Sequence, residues 1–113
     1  MTPTVFILAF STSNYNAMIK FFRDFGFTVV EDPQDQLTPF FEHGRAARVS
    51  WREFEFQLEE SEDVAARAYF NLFLTDYPDL DIEKVKSLGY TCTYESFGHT
   101  HTFQTPDGGR LVL

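Results

Sequence analysis

The chain has 113 residues, 43% of them apolar and 18% aromatic with 14 Phe, and a formal net charge of −8 from 17 acidic and 9 basic residues. That is enough for one modest core and too little for two independent domains, and the acidity argues against gripping a phosphate backbone and for cationic or neutral partners. The single cysteine, Cys92, excludes an internal disulfide and a multi-cysteine zinc site. The opening MTPTVFILAFSTSN lacks a basic leader and is too short in its apolar run to span a membrane, so a soluble cytoplasmic protein is expected.

In chain order, Val5 to Phe10 is an apolar run of strand length, closed by the polar STSN. Met18, Phe21, Phe22 and Phe25 follow at i, i+3, i+4 and i+7, one stripe of a helix with Ser13 or Asn14 as N-cap and Gly26 as its stop. FTVVED is strand-like, and PQDQ breaks it. LTPFFEHG is open between an edge strand and a loop, because Pro39 cannot donate to a ladder while Phe40 and Phe41 are costly to leave in water. RAARVSW and EFEFQLEE predict a hairpin around Trp51 to Glu53, and SEDVAAR, with the acidic EESED before it, reads as a solvated linker.

From there the order begins again. AYFNLFLT predicts a strand, Ile82, Val85 and Leu88 the stripe of a second helix stopped by Gly89, and YTCTYES, HTHTFQ and RLVL three strands, the last two joined by the tight turn TPDGG. FGFT at residues 25 to 28 and LGYT at residues 88 to 91 mark the same joint in each half, Gly ending a helix and the next aromatic opening a strand. The expected architecture is α+β, one domain over residues 1–113, built of two βαβββ modules spanning about 1–60 and about 67–113.

This tandem pattern, with NAMIKFFRDFGFTVV and TPDGGRLVL in register on it, resembles the vicinal oxygen chelate superfamily of glyoxalases, extradiol dioxygenases and bleomycin resistance proteins. The resemblance covers essentially the whole chain and implies a cupped mixed sheet with helices outside and the ligand or metal in the cup. It places the family's four metal-ligand positions at Ile7, Gln57, about Tyr69 and Val112. Ile and Val cannot coordinate a cation, and one Gln does not make a metal site. The resemblance therefore implies no metal and no cofactor, and it points to the metal-free, bleomycin resistance-like members: antibiotic-binding homodimers in which both chains contribute to each pocket.

Counting by twos from Gln57 and Val112 puts Glu53, Glu55 and Gln57, Val5, Ile7, Ala9 and Ser11, Tyr69, Asn71 and Phe73, and Arg110 in the cup. Such a lining suits a flat or cationic compound by stacking, cation–π contact and charge pairing; equally, alternating polar residues are what the wet face of an antiparallel sheet carries. His99 and His101, at i and i+2, share a strand face and read as a metal pair or as ordinary surface groups. Cys92 reads as a small core residue. The candidate ligand-binding residues are Phe40, Phe41, Trp51, Glu55, Gln57, Tyr69, Phe73 and His101. The function expected is metal-independent sequestration of a cationic or aromatic small molecule at a homodimer, as in antibiotic resistance. The alternatives are a metal-dependent lyase, isomerase or dioxygenase using displaced ligands such as Gln57, Glu55 and His101, and a scaffold that binds no small ligand.

Overall fold

A computed structural model describes residues 8–31, 45–61, 71–73, 82–96 and 100–113. The elements are β1 (Leu8–Thr12), α1 (Tyr15–Asp24), β2 (Thr28–Glu31), β3 (Ala46–Trp51), β4 (Phe54–Glu60), β5 (Asn71–Phe73), α2 (Ile82–Ser87), β6 (Cys92–Glu95), β7 (Thr100–Gln104) and β8 (Arg110–Val112). They form two four-stranded sheets of identical plan, ordered β1-β4-β3-β2 and β5-β8-β7-β6. In each, the first strand lies parallel to the last, and every other pairing is antiparallel. The unit expected twice is used twice, and the fold is α+β.

The α1 stripe does what its spacing requires. Met18, Phe21, Phe22 and Phe25 are buried, joined by Tyr15 and Ile19, and the Phe22 ring packs edge-on against Phe56 of β4 with centroids 5.3 Å apart. Asn14 holds the N-cap position without a side-chain bond; instead its N–H donates to the Thr12 hydroxyl oxygen at 2.9 Å. The helix closes through Gly26 at φ 85°, whose N–H donates to the Arg23 carbonyl at 3.0 Å while that of Phe27 donates to Phe22 at 3.0 Å. Thr12 also corrects the first strand. Ser11 and Thr12, expected to end it, extend it by pairing with Glu59 and Glu60 of β4, while Val5 to Ile7 lie outside the described residues.

The second helix repeats the device in shorter form. Val85 is buried and Ile82 packs against the core. Leu88, expected on the same stripe, is exposed instead, because α2 ends at Ser87 and Leu88 falls in the turn beyond. Gly89 sits at φ 97° with nothing within 4 Å of an added Cβ, so backbone strain alone decides a substitution there. Gly89→Ala is expected to lower stability by about 1–2 kcal/mol without changing the fold, measured by urea unfolding with circular dichroism as the check on structure.

One apolar cluster serves both sheets. Its link is Phe25, fully buried, whose ring meets Phe103 of β7 at 4.7 Å and Tyr90 at 5.6 Å. Above this contact the Tyr90 hydroxyl donates to the Asp24 carboxylate, which also pairs with Lys20 at 2.6 Å. Burial works to raise the Asp24 carboxyl, but the hydrogen bonds from Lys20 and Tyr90 outweigh it and hold it below its ordinary value. The helix of the first half is thus fastened to the second half by rings beneath and polar groups above.

Candidate functional site

Residues paired across a ladder share a face, so the register separates a helix-side face from a helix-free one. In the first sheet Phe10, Ala47, Val49, Phe56 and Leu58 turn to the helix side and the core. Ala9 and Ser11 of β1, Glu55, Gln57 and Glu59 of β4, Ala46, Arg48 and Ser50 of β3, and Thr28 and Val30 of β2 share the other face. This agrees with the alternation expected for Ala9, Ser11, Glu55 and Gln57. In the second sheet Leu72, Phe103 and Leu111 enter the core, which leaves Asn71, Phe73, Thr102, Arg110 and Val112 on the helix-free side.

Two candidates lie on the opposite face. Trp51 pairs with Phe54 and stands over Phe27 with ring centroids 5.9 Å apart, because the two-residue turn that follows it keeps it in phase with Phe54 and Phe56. His101 alternates with Thr100 and Thr102, shares the side of Phe103, and packs on Tyr94 at 4.9 Å. Its Nδ1 is buried without a hydrogen-bond partner among the described residues. Neither is brought together with Gln57. Phe73 is on the helix-free side and 72% exposed, while Phe40, Phe41, Tyr69 and His99 lie outside the described residues.

Among the described residues, two polar side-chain pairs stand on the helix-free face of the first sheet. Arg48 Nε and Glu55 Oε1 are 2.9 Å apart at the exposed margin. Gln57 Nε2 donates to Glu59 Oε1 at 2.7 Å, and both residues are only 3% exposed. Burial raises the Glu59 carboxyl above its ordinary value, and the bond from Gln57 opposes that rise. Glu59 is the residue that sequence reasoning missed: EESED reads as a solvated run, and Glu60 fits that reading, turning to the helix side to pair with Arg45 at 2.8 Å, whereas Glu59 is buried. The signal was present, since Glu59 is the next position after Gln57 at a period of two.

This arrangement offers an acceptor under little solvent, not a metal cage. Of the ligand positions that the sequence resemblance implies, Val112 lies on the helix-free face and is aliphatic. The displaced set Gln57, Glu55 and His101 is not assembled, because Glu55 is taken by Arg48 and His101 faces the helix side of the other sheet. Among the described residues no three His, Cys, Asp or Glu side chains gather to hold an ion. Cys92 is partly buried against the core, and burial, the largest cause, pushes its thiol up, away from the reactive thiolate.

No family model matches the chain, and no curated protein matches it. Solved structures do. The fosfomycin resistance protein FosX from Mesorhizobium loti aligns over 100% of this chain and 91% of its own at a TM-score of 0.67 and 19% identity. TnmS3, an antibiotic-binding protein from a Streptomyces species, aligns over 100% and 97% at 0.60 and 19%. A glyoxalase family protein from Enterococcus faecalis aligns over 97% and 95% at 0.62 and 19%.

Proposed function

We propose that this chain, whose fold is that of the vicinal oxygen chelate superfamily, is a metal-independent binding protein that sequesters a cationic or aromatic small molecule on its helix-free face, working as a homodimer. The observation that carries the reading is the buried Gln57–Glu59 pair on that face. A carboxylate taken out of water is costly unless something matches its charge, and such groups collect where ligands bind. Phe73, exposed on the corresponding face of the second sheet, supplies a ring for stacking. The aliphatic Val112 at a metal-ligand position supports a reading without a metal. That proteins of this fold include an antibiotic binder supports antibiotics as the first class to try. No helix among the described residues is long and apolar enough to cross a membrane.

The test is a thermal-shift screen of cationic, aromatic and peptidic antibiotics, since a compound that binds only the native state raises the melting temperature. No shift across the panel would favour a scaffold. Elemental analysis of the purified protein runs beside it: stoichiometric Fe, Mn, Ni or Zn would overturn the metal-independent reading. Light scattering decides the dimer.

A further inference from the structure

We infer that Glu59 sets the ligand's charge, receiving a cationic nitrogen of the amidinium or protonated-amine class, and that Gln57 is its positioning residue; this rests on the binding function proposed for the same face. A carboxylate has room for about four hydrogen bonds. Among the described residues the bond that reaches Glu59 comes from Gln57 Nε2, at 2.7 Å, a neutral donor two positions back on the same strand.

The described neighbouring strands set no cation against that carboxylate. Directly across stand Ser11 of β1 and Ala46 of β3, neither of which carries a charge to neutralise it. Farther along those ladders on the same face come Ala9, and Arg48 with Ser50. Arg48 is the one cationic side chain that the described neighbouring strands turn to this face. It sits diagonally between two acids, Glu55 and Glu59, and its Nε is on Glu55 at 2.9 Å. Among the described residues that cation pairs with the exposed acid, while the buried acid is bonded by an amide. A planar amidinium or a protonated amine supplies the missing charge and fills the acceptor sites that Gln57 leaves open. An anionic ligand is repelled, and a neutral isostere forgoes the charge pairing. Gln57, anchored between Ala9 and Arg48 in the ladder, holds one carboxylate oxygen and so aims the other.

The experiment is calorimetric titration with benzamidine and its neutral counterpart benzamide, on the wild type, Glu59→Gln and Gln57→Leu. The wild type is expected to prefer benzamidine by about tenfold or more, and Glu59→Gln, confirmed folded by circular dichroism, to erase that preference while still binding benzamide. Titration at about pH 5 in two buffers of different ionisation heat should show proton release when benzamidine binds the wild type, because the cation draws the proton off a raised carboxyl. Release should vanish in Glu59→Gln. It should grow in Gln57→Leu, which removes the hydrogen bond that holds the carboxyl down. Equal affinity of the wild type for the two probes overturns the inference and leaves aromatic binding standing. Equal loss of both probes in Glu59→Gln makes the residue merely structural. If neither probe binds, the inference fails as well, and the binding function is then judged by the antibiotic panel alone.

Discussion

Phe25→Ala is expected to destabilise the protein by about 3–5 kcal/mol, the usual cost of truncating a buried phenylalanine. The ring is fully buried and touches Phe21 at 4.5 Å within α1, and Phe103 and Tyr90 in the second half. Its removal opens a cavity at the place where the two halves meet. Against a typical total stability of about 5–15 kcal/mol, the loss leaves little in reserve. Urea unfolding followed by Trp51 fluorescence and by far-ultraviolet circular dichroism measures it. A cycle with Phe103→Ala should return a coupling of about 0.5 kcal/mol or more, since the rings are in contact. Strictly additive losses would sink the claim that this contact joins the halves.

The second large effect runs the other way. Glu59→Gln, tested without ligand at neutral pH, should raise stability by an amount on the order of 1 kcal/mol, the scale of a buried polar group that lacks its partners. Burial places the folded carboxyl above its ordinary value, so folding favours the protonated form. That contribution is fully present below the unfolded pKa and is lost as pH rises through the higher folded one. Glutamine cannot ionise, so its advantage opens above that window and closes in acid. Melting curves at pH 4 and pH 7 decide the matter: a variant equally destabilised at both would mean that Glu59 is well accommodated in the native protein. A stabilising substitution that abolishes selection for a cation is the trade expected of a residue kept for binding.

Periodicity made most of the fold legible. The α1 stripe, the two helix-ending glycines and the hairpin after Trp51 follow from spacing and turn chemistry alone, and the repeat falls out once Gly26 and Gly89 are aligned. The site was less legible because its residues depend on which way a strand faces, and composition conceals that. Glu59 hides inside an acidic run, although a count of two from Gln57 reaches it. His101 looked like a ligand by residue type, yet it shares parity with Phe103, which an alternating reading of β7 assigns to the core. Leu88 fits a helical period but misses the helix, since α2 ends at Ser87 and the turn begins at Leu88. The misses at Glu59 and His101 come from trusting residue type over phase, and the miss at Leu88 from a helix one residue shorter than its period allows.

The sheet order also bears on how the chain reaches this state as it emerges from the ribosome. In each half the first strand's neighbour is the last: β1 waits for β4, and β5 waits for β8, which must slip between it and β7. Neither opening strand can satisfy its backbone on arrival, and these distant pairings close the longest loops within each sheet. Phe25 waits longer still, for β7. The first half therefore leaves the ribosome with an aromatic face uncovered, and early synthesis is the stage at which chaperones would have the most to shield.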